Sequence, residues 1–186
     1  SGLDLAFRLR QSIPVDPRIN IIEISDSDIE ALGRWPWKRS WHAAMARALK
    51  DFGAKSIYFD ILFTEPSSEE DDRAVEEAFQ YAGNIYLPLA FDPGSNRVAL
   101  PIPRFASNAQ GLGIINIFPD ADGIFRRIPM TFPTPGKTWF DVALQIAADD
   151  SNMEIAGVSR QTIALVPRGK GTPVLVPLDE KSNFLI

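Results

Sequence analysis

The sequence predicts an α/β fold. It is three-layer-like, with a mainly parallel sheet flanked by helices and antiparallel strands in the C-terminal part. Three observations predict it. Apolar, β-branched runs alternate with amphipathic helical stretches through the first half of the chain. Strand, helix and strand follow one another within about forty residues, the grammar of a βαβ unit with parallel strands. The later connections are short and turn-like, as antiparallel neighbours require. The 186 residues, 45% hydrophobic and 23% charged, suit one domain over 3–186 with a substantial core.

Residues 3–13 read two ways. Leu3, Ala6, Phe7 and Arg10 form a helical stripe, while Leu3, Leu5, Phe7 and Leu9 alternate like a strand. Pro14 and Pro17 interrupt the chain. Residues 18–24 (RINIIEI) predict a buried central strand, being rich in isoleucine and almost wholly apolar. Ser25-Asp26-Ser27-Asp28 caps a short helical turn that Gly33 stops. Residues 40–52 predict a helix whose apolar face carries Trp41, Ala44, Met45, Ala48, Leu49 and Phe52. Residues 55–59 are the next strand.

Ser67-Ser68-Glu69-Glu70 is a capping-box pattern opening a helix with the stripe Val75, Ala78, Phe79 and Ala82, closed by Gly83. Strands follow at 84–90 and, past a Pro- and Gly-rich stretch (93–103), at 112–118. Asp120-Ala121-Asp122-Gly123 turns the chain into a strand at 124–130, predicted to form a hairpin with 112–118. Thr138 is expected to cap a helix bearing Trp139, Val142, Ala143, Ile146 and Ala147. Two last strands, 162–166 and 174–176, are joined through Arg168-Gly169-Lys170-Gly171.

Composition excludes several functions. The formal charge is −5, and no cluster of Lys and Arg is longer than Arg126-Arg127, so nucleic acid is not expected as a partner. The absence of cysteine excludes a thiol nucleophile, a thiolate zinc site and disulfides. His42 is the single histidine, so a histidine-rich metal centre is excluded and it reads as a helix side chain. No complete cofactor motif is present: Gly111-Leu112-Gly113 precedes a strand instead of following one, and Gly169-Lys170-Gly171 lacks the rest of a phosphate loop. No cofactor is expected.

Six residues are candidates for contact with a ligand: Asp26, Trp35, Trp37, Arg39, Asp60 and Glu65. Asp26 and Asp60 follow predicted strands, where open parallel sheets collect ligands, and Glu65 lies just beyond. Three carboxylates in one crevice can hold a hard cation such as Mg²⁺ or Ca²⁺ and support a metal-dependent hydrolase or phosphotransferase. The competing reading is structural: Asp26 caps a helix and Asp60 satisfies loop amides. Trp35 and Trp37 bracket a proline and offer flat apolar area with N–H donors, either as a binding platform or as a cover for the core. Arg39 beside them can pair with Asp26 or Asp60, or receive an anion.

Together these segments resemble the second type of CHASE domain, the cyclase- and histidine-kinase-associated extracellular sensor. Arg18 before the apolar run and Asp26-Ser27 after it match, as do Leu32-Gly33, Trp35-Pro36-Trp37, Arg39 and Gly53-Ala54. Asp60-Ile61-Leu62-Phe63, Glu65-Pro66, Asp71, Asn84, Leu87-Pro88, Gly113, Asn116, the 120–127 segment and Pro129 also match. The resemblance covers about residues 16–150. It implies a non-enzymatic sensory domain outside the cell membrane, either periplasmic or at the cell surface, ahead of transmembrane helices and a cytoplasmic cyclase or kinase. It carries no catalytic residues. Its expected partners are a small-molecule or other extracytoplasmic signal, a membrane reached through other segments, and a second copy in a homodimer. A purely structural dimerisation module is the remaining alternative. Ser1-Gly2 reads as a tag-cleavage remnant, and the apolar ending Asn183 to Ile186 reads as a domain cut before its last strands.

Overall fold

A computed structural model describes residues 14–185. The ambiguous 3–13 segment, Ser1-Gly2 and Ile186 lie outside the described residues. The chain divides into two compact units, Ser1–Trp37 and Lys38–Ile186.

In the first unit, residues 18–24 form no strand. The predicted central strand is therefore corrected: Ile19, Ile21, Ile22 and Ile24 are solvent-exposed, Ile21 by 90%. β-propensity expresses how well a side chain packs in a ladder, and the described part of this unit supplies no second strand to pair with. Helix α1 (Asp26–Leu32) follows. Its start is a capping box in which the Ser25 amide donates to the Asp28 carboxylate at 2.9 Å. Gly33, at φ +96°, ends it.

The second unit begins with α2 (Arg39–Asp51), which packs on α3 (Glu69–Ala82). The predicted face of α2 is corrected. The buried side chains are His42, Ala43 and Ala46, and of the predicted face only Ala48 and Leu49 are half-buried, Leu49 against the core, while Trp41, Ala44, Met45 and Phe52 are exposed. The small alanines allow close approach to α3, whose predicted stripe of Val75, Ala78, Phe79 and Ala82 is fully buried. The N-cap of α3 is Ser68, one residue later than the Ser67 pattern: its hydroxyl accepts the Asp71 amide at 3.2 Å.

Strands β1 (Ile57–Tyr58), β2 (Ile85–Asp92) and β4 (Gly111–Ile114) form a parallel core sheet in the order β1-β2-β4, with Ile57 opposite Ile85 and Leu87 opposite Leu112. Strand β3 (Arg97–Ala99) turns back antiparallel on the end of β2, and α4 (Pro103–Ala106) bridges to β4. Strand β3 lies within the Pro- and Gly-rich 93–103 stretch, and α4 starts at its last residue. On one face Ile57, Phe59, Ile85 and Leu87 pack with α2, α3 and Phe105 of α4.

Strands β5 (Arg127–Pro129), β6 (Thr131–Thr134) and β7 (Lys137–Phe140) precede helix α5 (Val142–Asp150). Helix α5 covers the other face of β2 and β4, giving the expected three layers locally. Gly113 makes that contact possible: a Cβ there would lie 2.3 Å from Val142 Cα.

The mainly parallel sheet is also corrected. Parallel ladders are confined to β1-β2-β4. Strands β6 and β7 form a hairpin, so Thr138 and Trp139 are in a strand, and Asp141 caps α5 by accepting the Ala143 amide at 2.8 Å. The Asp120–Gly123 turn forms, but β5 pairs with β11 (Asn183–Leu185) instead of returning onto β4. Strands β8 (Met153–Val158), β9 (Thr162–Pro167) and β10 (Val174–Pro177) make an antiparallel sheet in the order β10-β9-β8. The physical reason is connection length: past β4 only α5 is long enough for a crossover, and tight turns give antiparallel neighbours.

Candidate functional site

Arg39 sits at the first position of α2, at the centre of a buried cluster. Its guanidinium pairs with the Asp72 carboxylate and donates to the backbone oxygen of Glu65. The same plane lies over the rings of Phe63 and Phe105, at 5.5 and 5.2 Å from their centroids. The side chain of Arg39 is 14% exposed and that of Asp72 only 4%. Asp72 also accepts the Ser67 amide at 3.1 Å. The expected pairing of Arg39 with Asp26 or Asp60 is thus replaced by Asp72, a residue the sequence reading passed over. Its position one turn into α3, beside the capping serines, was the available signal.

The remaining candidates are separately placed. Asp26 is an exposed residue in the first turn of α1, and Asp28 rather than Asp26 makes the cap. The rings of Trp35 and Trp37 meet edge to face at 5.7 Å, and the Trp37 indole N–H donates to Gly33 O at 2.7 Å. Asp60 accepts the Tyr58 hydroxyl at 2.9 Å. Burial first, then Asp60, pushes the Tyr58 phenol well above its ordinary range. Glu65 supplies its backbone oxygen to Arg39, and its residue is exposed. Among the described residues no three His, Cys, Asp or Glu side chains are grouped to hold a metal ion.

His42, one turn into α2, lies among aromatic rings, 5.8 Å from Phe63 and 6.3 Å from Phe59 between centroids. Burial, then the nearby Arg39 charge, lowers its pKa below the ordinary 6.5.

A second arrangement lies between the β2–β3 and β6–β7 hairpins. Both rest on a cluster formed by Leu89, Ile114 and Phe132, with Phe91, Val98 and Trp139 packed against it. Between the hairpin tips is an open cleft of about 430 Å³, lined by Ser95, Asn96, Arg97, Val98, Leu100, Thr134, Pro135 and Trp139. Lys137 stands 3.5 Å from the centroid of the Trp139 ring. A flat indole, a guanidinium and small hydroxyl and amide groups suit a small polar or anionic molecule with an apolar face. Reading Trp139 as helical hid this cleft from the sequence.

The family model of the CHASE2 domain matches residues 1–186. No curated protein and no solved structure matches the chain. Among the described residues no helix is long and apolar enough to cross a membrane.

Proposed function

Because the chain belongs to the CHASE2 domain family of extracellular sensors, we propose that it is the extracytoplasmic sensory domain of a transmembrane receptor controlling a cytoplasmic cyclase or kinase. The observation that carries this reading is the family match over residues 1–186. The family is sensory and not catalytic. In this role the domain stands in the periplasm or at the cell surface, and membrane-spanning segments elsewhere in the receptor carry its state inward.

The signal in this reading is a small polar or anionic molecule. Its reception site in this reading is the open Arg97–Trp139 cleft, which has a mixed apolar and cationic lining. Arg39 is less suited to receive an anion, since Asp72 and the Glu65 carbonyl already hold it.

The test uses the full-length receptor in its native membrane. A cysteine placed at exposed Lys170, in the β9–β10 connection, is offered a membrane-impermeant maleimide in intact cells. Labelling without lysis is expected. Labelling only after the membrane is opened overturns the reading.

A further inference from the structure

None of the residues lining the cleft between the β2–β3 and β6–β7 hairpins is acidic, although the chain carries a formal charge of −5. Arg97 lines this cleft, is exposed and forms no ion pair among the described residues. A carboxylate stands directly across the ladder from it: Asp92 of β2 is the register partner of Arg97 of β3. Opposite charges so placed ordinarily pair, because directly opposed side chains project from one face. Here the turn between the two strands prevents it. The Gly94 amide donates to one Asp92 oxygen at 2.9 Å, and the Ser95 hydroxyl donates to the other at 2.6 Å. These bonds, that of the Ser95 hydroxyl first, hold the Asp92 carboxyl below its ordinary range. Asp92 is thus an anion satisfied by its own turn.

The facing hairpin brings a second cation. Lys137 and Trp139 alternate on β7 and so share a face. The Lys137 ammonium stands 3.5 Å from the indole centroid and forms no ion pair among the described residues. Val98, Leu100 and Pro135 give the lining its apolar part. The Gly94 amide, a backbone donor of the kind that cradles phosphates, is already spent on Asp92.

We propose that this cleft selects organic carboxylates with an apolar or aromatic body, that Arg97 receives the carboxylate, and that Ser95 is a positioning residue which keeps Arg97 unpaired by holding Asp92 in its turn. This selection rests on the reading of the cleft as the reception site and names the class of its signal. A guanidinium meets a carboxylate as a planar fork. The Lys137 ammonium adds charge without that directional demand, and the apolar walls take the body of the molecule.

Calorimetry on the whole chain uses benzoate and its neutral isostere benzamide as probes. Benzoate is expected to bind saturably and benzamide roughly tenfold more weakly, the worth of one charge-assisted hydrogen bond. Arg97→Gln is expected to abolish that preference at an unchanged melting temperature, because the exposed side chain belongs to no described core cluster. Ser95→Ala frees Asp92 to pair with Arg97 and is expected to weaken benzoate several-fold, and adding Asp92→Asn is expected to restore it. A merely structural role of Ser95 gives no such rescue. Phenyl phosphate is expected to bind no tighter than benzoate. Equal affinity for benzoate and benzamide, or a preference that survives Arg97→Gln, overturns the proposal and leaves the extracytoplasmic reading standing, since labelling at Lys170 decides that by itself. No saturable binding of benzoate, as when an acid of the same chain already holds Arg97, overturns it together with the cleft as reception site. Failure of Asp92→Asn to restore binding overturns the role of Ser95, and tighter binding of phenyl phosphate overturns the carboxylate class.

Discussion

The Arg39 guanidinium and the Asp72 carboxylate form a buried ion pair that ties the first residue of α2 to α3. Two rings, Phe63 and Phe105, cover the guanidinium, and the Glu65 carbonyl and the Ser67 amide satisfy further groups of the pair. Removing one member strands a charge in an apolar setting. Asp72→Ala is therefore expected to cost about 3–5 kcal/mol in urea unfolding. Arg39→Lys is not expected to be neutral, because an ammonium cannot reach the carboxylate and the carbonyl as a planar fork while stacking on both rings.

His42 predicts a distinct pH dependence. Its pKa in the folded chain lies below the ordinary 6.5, because burial and Arg39 disfavour the imidazolium. The folded state thus binds this proton less readily than the unfolded one. The contribution to stability is whole above pH 6.5 and is lost as the pH falls below it. Asp28, Asp120 and Asp122 also have lowered pKa values, and their contributions fade only below the ordinary 3.8. The two windows are separate. His42→Phe is expected to flatten the loss of melting temperature as the pH falls below 6.5, and to leave the acid limb unchanged.

Gly113 is expected to tolerate no side chain. A Cβ would meet Val142 Cα at 2.3 Å and Val142 N at 2.7 Å, both backbone atoms of α5 that cannot swing aside. Gly113→Ala should destabilise the chain by about 1–3 kcal/mol. Hydrogen exchange should accelerate in α5 and β4 before it does in α3.

Asp120 serves two arginines and Asp122 one. Asp120 accepts from Arg126 at 3.1 Å and also from Arg127, which in turn reaches Asp179 at 2.9 Å. Among the described residues Asp122 pairs with Arg126, and it also accepts the Ile124 amide at 3.2 Å. Asp120→Asn is expected to lower the melting temperature more than Asp122→Asn does. It should also expose β11 to exchange, because Arg127 holds that strand's neighbour Asp179 beside β5.

What was legible in the sequence was local. The α3 stripe from Val75 to Ala82, the αL glycine at Gly83, the strands at β2 and β9 and the Asp120–Gly123 turn follow from periodicity and turn chemistry. The family was legible as well, because short pieces such as Trp35-Pro36-Trp37 and Asp60-Ile61-Leu62-Phe63 keep their order along the chain. The face of α2 was not. Trp41, Met45 and Phe52 outrank Ala43 and Ala46 in hydrophobicity, yet the alanines are the ones that let two helices approach closely.

The candidate site divided in the same way. The sequence offers Arg39 as a cation in need of a partner, and the carboxylate that holds it comes from a helix 33 positions on. Trp139 was placed on a helix, whereas the pairing of Phe132 with Trp139 makes it strand and puts it beside Arg97 in the cleft. By itself the sequence determined the helices α1 to α3 and the strands β2, β9 and β10, the acidic and cysteine-free chemistry of the chain, and its family. Tertiary structure alone decided which strands pair, which face of α2 is buried and which acid neutralises Arg39. Those choices depend on contacts between residues far apart in the chain, where shape and desolvation outweigh the propensity of any single residue.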